Sequence, residues 1–163
     1  MDYSGDGNVK VSMIKYLSSI LDGFSEELGK PVSNPAADHL IQIRDEKEAK
    51  FLSEEKARDF HHVVAQLLFL ANQARRDIQT AVAFLTTRVK NPDKDDWGKL
   101  RRVLKYLKGT LYMKLTLTIS DLSIIRWWID ASDRTHHDLK GHTGMMMSLG
   151  GGAVVSGLRK QKN

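Results

Sequence analysis

No cysteine occurs anywhere in the chain, which excludes disulfides and thiolate metal sites and suits a reducing compartment. Proline is scarce too: Pro31, Pro35 and Pro92 are the only three, so most of the chain is free to form regular structure. No apolar run approaches the roughly 18 residues that cross a bilayer, and the N-terminus lacks the charged-then-apolar order of a signal peptide. No membrane partner and a soluble, intracellular location are therefore expected. Acidic residues are absent from Leu139 onward, while Lys140, Arg159, Lys160 and Lys162 make that tail cationic. Phosphate-cradling and nucleophile-elbow patterns are missing as well: there is no G-x-x-x-x-G-K-[ST], G-x-G-x-x-G or G-x-S-x-G, and no His-Glu-x-x-His.

What remains is an ordinary globular composition, 41% apolar and 28% charged over 163 residues, enough for one core or two small ones. Twenty-five Lys and Arg oppose twenty Asp and Glu, so a polyanion is a natural partner. Val9, Val11 and Met13 alternate with polar residues, which predicts a short strand leading into a helix from Ser12 to Asp22 that stops at Gly23. The stretch from Gly29 to Lys50 reads as a long surface connection with a helical turn near His39 to Ile43. Three amphipathic helices follow. Ser53 caps the first, with Glu54 and Glu55 in its opening turn and Phe60, Val64, Leu67, Leu68 and Ala71 as its stripe. The second runs from Asp77 to before Asn91-Pro92 on Ile78, Ala81, Val82, Leu85 and Val89. The third starts near Asp95 with Trp97, Leu100, Val103, Leu104 and Leu107 and closes on Lys108-Gly109. Beyond it, the alternation from Leu111 to Ile119 predicts a strand that Ser120-Asp121 turns toward the next one.

That next strand, Ile124 to Asp130, is apolar and ends on a carboxylate. Alternation places Ile125, Trp127 and Ile129 on one face, expected to be a core face, and Ile124, Arg126, Trp128 and Asp130 on the other. Thr143–Leu149 and Ala153–Arg159 then form a hairpin around Gly150-Gly151-Gly152. The fold class expected is α+β: an N-terminal strand-helix piece, a three-helix bundle, and a small antiparallel sheet.

Two groups of residues could carry chemistry. The third helix displays Lys94, Lys99, Arg101, Arg102, Lys105 and Lys108, a stripe suited to phosphates on a duplex, with a plain solvated helix face as the competing reading. Asp130, with Asp133 and Asp138 nearby, offers oxygen ligands for magnesium; the competing reading is a cap or turn residue. Phosphodiester cleavage by two metals needs several converging carboxylates, and the supply stops at Asp138. His61-His62 and His136, His137 and His142 lack the spacing of a zinc site.

Several ordered blocks together resemble a known family. They are Phe60–Leu70, Ala74–Val82, Trp97 with Arg102–Thr110, and Trp127-Trp128-Ile129-Asp130-Ala131-Ser132, continued by His142-Thr143-Gly144, Gly151–Ser156 and Arg159–Lys162. This series is similar to the C-terminal part of the reverse transcriptase of copia-type retrotransposons, running into the start of its ribonuclease H domain. The resemblance covers Phe60 to Asn163 well and the first 59 residues loosely. It implies three parts: 1–52, the end of a palm-like region and a linker; 53–110, a thumb and connection-like three-helix bundle; and 111–163, a truncated ribonuclease H-like sheet.

By the same resemblance Asp130 matches the first metal-binding aspartate. Lys99, Arg101, Arg102, Lys105, Lys108, Arg159 and Lys160 would contact an RNA–DNA hybrid or DNA duplex. The chain departs from the family at Arg75-Arg76, where Arg-Pro is usual, at His137, where proline is common, and at Gly157-Leu158. It has no Tyr-x-Asp-Asp polymerase motif and none of the later nuclease acids. The expectation is a segment inactive alone, with magnesium a cofactor of the intact parent and none for this piece. The sheet, left incomplete, would offer an edge for self-association. A non-catalytic basic nucleic-acid-binding module and an inert pseudogene product stand beside that reading.

Overall fold

The computed structural model describes residues 2–4, 7–44, 47–121, 123–132 and 141–160. Asp133, His136, His137, Asp138, Lys140 and Lys162 lie outside the described residues. Strands β1 (Asp2–Ser4) and β2 (Asn8–Val11) precede helix α1 (Ile14–Asp22), and a long connection leads to α2 (Glu54–Gln73). A 3-10 turn (Arg76–Ile78) enters α3 (Gln79–Thr86), followed by α4 (Lys94–Gly109) and strands β3 (Leu115–Thr118), β4 (Arg126–Ser132), β5 (His142–Ser148) and β6 (Val155–Lys160). Helices and antiparallel strands thus give the expected α+β class.

The helix starts follow from their caps. Ser53 accepts a hydrogen bond from the Lys56 amide, as the sequence predicts. For α4 the cap is Asp93, not a residue nearer Asp95: its carboxylate accepts from the Asp95 and Asp96 amides while the Asp96 side chain accepts from the Asp93 amide, a reciprocal box. The expected second helix splits. Its first turn is 3-10 and its regular part ends at Thr86, with turns through Lys90.

One apolar core joins α1 to α4, built on Phe60, Leu67, Leu70, Ile78, Phe84, Leu85, Leu100, Leu104 and Leu107. Trp97 belongs to it, stacked on Phe24 at 5.5 Å between ring centres. Leu68, assigned to the inner stripe by spacing, is exposed; Val63 and Leu70 occupy that face instead. The connection also contributes Phe24, Leu28 and Leu40, which lay it against the helices.

Sheet topology departs from expectation in one respect. β3 pairs antiparallel with β2 in a β1-β2-β3 sheet, so it does not turn to join β4. β4, β5 and β6 form a separate antiparallel sheet in that order, with Trp128 opposite Met146 and Asp130 opposite Gly144. The glycine triplet explains how the sheets meet: β3's Thr118 amide donates to the Gly151 carbonyl, and the Gly151 amide donates to the Thr118 hydroxyl. A Cβ on Gly150 or Gly152 would collide with the carbonyls of Thr118 and Thr116, and of the three only Gly152 has positive φ, +78°. Close approach, as much as turn geometry, requires glycine here.

Strand β4, expected to bury the Ile125, Trp127 and Ile129 side, has no core face. Trp127 is 53% exposed, Trp128 47% and Ile129 73%, so both sides of β4 meet solvent, and β4 is an edge strand. Among the described residues, side chains of the β4-β5-β6 sheet supply no member of the apolar core. The sheet is held instead by the glycine turn and by polar ties from the α3 entrance, where Gln79 donates to the Ser156 carbonyl and Arg76 to the Val154 carbonyl.

Candidate nucleic-acid interface

Helix α4 turns its cations toward the connection rather than into open solvent. Lys99 is only 6% exposed, because its ammonium bonds the Gln42 carbonyl at 2.6 Å and the Asp95 carboxylate at 2.9 Å and sits over the Phe84 ring. Arg101 donates to the Glu27 carbonyl at 3.1 Å. Its Nε lies 3.2 Å from Glu26 Oε2, within ion-pair reach though off the line of a hydrogen bond. Lys108 donates to the Gly29 carbonyl at 3.3 Å. Three members of the sequence stripe therefore fasten residues 26–42 to the helix.

Arg102 and Lys105 are different. Both are half-buried, and among the described residues neither has an ion-pair or hydrogen-bond partner, although the Arg102 Nε is shielded from water. They line a cleft of about 440 Å³ between α4 and residues 32–44, together with Lys94, Arg44, Pro35 and Leu40. Among the described residues Asp95 is the one acid in its wall, and it is already engaged by Lys99 and, at 3.6 Å, by Arg44. The result is a cationic cleft with an apolar floor.

Glu26 organises the near end. Its carboxylate takes a 2.6 Å ion pair from Lys56 and a hydrogen bond from the Trp97 indole, and these bonds with the Lys56 and Arg101 charges hold its pKa below the usual glutamate value despite some burial. On the far side of the helices, Arg75 is 2% exposed and joins the entrance of α3 to the end of α4. It grips Asp77 through Nε and Nη2, and donates to the Thr110 carbonyl at 3.0 Å and hydroxyl at 2.6 Å. Burial pushes the Asp77 carboxyl up, but the Arg75 hydrogen bonds and charge, with the Tyr106 hydroxyl, outweigh it and leave the pKa lowered.

The remaining sequence candidates are scattered. Asp130 is exposed in β4, Arg159 is exposed on β6, and Lys160 ends β6. A second, more open cleft of about 630 Å³ lies between β4-β6 and the α3 entrance, with Asp130, Trp128, Met146 and Arg76 among its walls. Among the described residues no three His, Asp or Glu side chains gather to hold a metal. Among the described residues Asp130 belongs to no such group, and a magnesium pair needs several converging carboxylates. His61 and His62 are exposed on α2 and join no such group. Among the described residues no helix is long and apolar enough to cross a membrane.

Fold and cleft define a basic α+β unit in which two α4 cations without a partner among the described residues, Arg102 and Lys105, line one groove. Comparison with known proteins places it further. The chain is 31% identical over 157 residues to the retrovirus-related Pol polyprotein from transposon TNT 1-94 of Nicotiana tabacum, covering 93% of the chain and 12% of the polyprotein. It is 35% identical over 97 residues to a transposon Ty5-1 protein of Saccharomyces cerevisiae, covering 60% of the chain and 32% of that protein. It is 29% identical over 102 residues to an uncharacterized mitochondrial protein of Arabidopsis thaliana, covering 63% and 40%. The chain belongs to the Pol polyproteins of copia-type retrotransposons and spans less than half the length of each of these relatives. No family model matches it, and no solved structure does.

Proposed function

We propose that this chain is the stretch of a copia-type Pol polyprotein in which the helical end of the reverse transcriptase runs into the start of a ribonuclease H domain, and that it holds an RNA–DNA hybrid or DNA duplex without cutting or copying it. The observation that carries the reading is a pair of cations, Arg102 and Lys105, without partners among the described residues, in a cleft on the helical half, followed in the chain by a three-stranded antiparallel sheet with Asp130 in its first strand. Arg159 on β6 adds a cation on the sheet side. Phosphates would be met by these groups, giving affinity that is insensitive to sequence and falls with salt. The sequence carries no Tyr-x-Asp-Asp, and among the described residues Asp130 joins no cluster of three His, Asp or Glu side chains that could hold a metal.

Purified chain is tested with labelled RNA–DNA hybrid, with and without magnesium. Binding without loss of intact hybrid supports the proposal. Magnesium-dependent cleavage that Asp130→Asn abolishes overturns its non-catalytic half, and no binding at low salt overturns the rest.

A further inference from the structure

The cleft beside α4 is shaped for something smaller than a helix-long duplex face. Of the α4 cations, Lys99 is paired with Asp95 and Arg101 with Glu26, while Lys108 keeps its charge beside the Gly29 carbonyl, so α4 does not present all of its cations free. Of the cations at this groove, Arg102 and Lys105 have no partner among the described residues; Lys94 lies at the same groove, and Arg44 is paired with Asp95. Beneath them Val32, Pro35, Ala36 and Leu40 supply an apolar floor. A volume of about 440 Å³ lies in the range of sites for small organic ligands, well beyond what an inorganic anion fills. Cations on one wall and an apolar floor together select a ligand with a phosphate at one end and a flat, weakly polar body at the other.

We infer that this cleft is a site for a single nucleoside monophosphate unit, its phosphate on Arg102 and Lys105 and its base against Val32, Pro35, Ala36 and Leu40. The unit is supplied either as a free nucleotide or as one residue of a single strand. The inference deepens the nucleic-acid reading by replacing a face-long grip with one nucleotide-sized contact.

The test is a titration of the full chain, followed by amide NMR shifts, with dTMP, thymidine, inorganic phosphate, and a six-residue oligothymidylate lacking terminal phosphates. Saturable shifts at Gly98, Arg102 and Lys105 with dTMP are expected, with at least tenfold weaker binding of both thymidine and phosphate. Arg102→Ala with Lys105→Ala should weaken dTMP at least tenfold, whereas Lys90→Ala, which removes an exposed charge elsewhere, should leave it unchanged; circular dichroism melting confirms that the variants fold. The oligothymidylate separates the sources: equal or tighter binding at the same amides assigns a unit within a strand, and failure to displace dTMP assigns the free nucleotide. Equal weakening by Lys90→Ala, or dTMP shifts confined to other surfaces, overturns the inference. Hybrid binding that persists after such a result would leave the broader proposal standing, and dTMP binding without hybrid binding would sink the broader proposal alone.

Discussion

Replacing Arg75 with alanine removes the tie between the α3 entrance and the α4 end. The guanidinium makes contacts to Asp77 and Thr110 at 2.6–3.2 Å while itself 2% exposed. Truncation leaves the Asp77 carboxylate and the Thr110 carbonyl without their donor. Removing one partner of a buried ion pair costs about 3–5 kcal/mol. Because the Asp77 side chain keeps 28% of its exposure, water compensates part of that, and about 2–3 kcal/mol is expected. With a urea m-value of about 2 kcal/mol/M for a chain of this size, the midpoint should fall by about 1–1.5 M. The melting temperature should fall by roughly 4–12 °C. Arg75→Lys keeps the charge but loses the planar fork, and should recover less than half of the loss. The assay is urea denaturation followed by circular dichroism. A change in midpoint below about 0.2 M for Arg75→Ala would show that the tie is incidental, and the argument from burial would fail.

Other perturbations reach the remaining parts of the fold. Gly152→Ala meets both a positive φ and the Thr116 carbonyl, so a loss of about 2 kcal/mol or more is expected, read as faster proteolysis of the β4-β5-β6 sheet. Asp93→Ala removes the α4 cap and should cost about 1 kcal/mol in the same melts. Acid titration carries opposite signs at two aspartates. Asp77, with its folded pKa lowered, contributes stability present above the ordinary aspartate pKa and lost as pH falls through the folded value. Asp96 is raised, chiefly by burial, so its contribution is lost as pH rises from the ordinary value through the folded one. Asp77→Asn should flatten the acid limb of a stability-against-pH curve, and Asp96→Asn should steepen it; the reverse pattern would contradict the signs.

Much of the helical half was legible because its signals are local. Ser53, the apolar spacing from Phe60 to Ala71 and the Trp97–Leu107 stripe each predict a helix face that the core then uses. The connection from Gly29 to Lys50 forms the expected loop with a turn near His39, but Leu40, an apolar residue with no periodic neighbours, gives no local sign that it anchors the loop in the core. The acidic pair Glu26-Glu27, placed before a cation-rich helix, was the available sign that the loop would lie on α4. Strand β3 reads as a neighbour of β4 by proximity in sequence, yet its partner β2 lies about a hundred positions earlier, and pairing at that distance leaves no local trace. The β4 pattern predicted alternation correctly but not burial: periodicity tells which side chains share a face and says nothing of what covers it. At the candidate interface spacing found the cations, while only the folded arrangement separates those already paired from Arg102 and Lys105.

The most direct test of the account is the affinity of the chain for an RNA–DNA hybrid across a salt series from low to physiological strength. With about two phosphates met, one by Arg102 and Lys105 together and one by Arg159, a log–log slope of about −2 is expected, and Arg102→Ala with Lys105→Ala should flatten it by about 1. A flat salt response, or a slope that the double substitution leaves untouched, would contradict it.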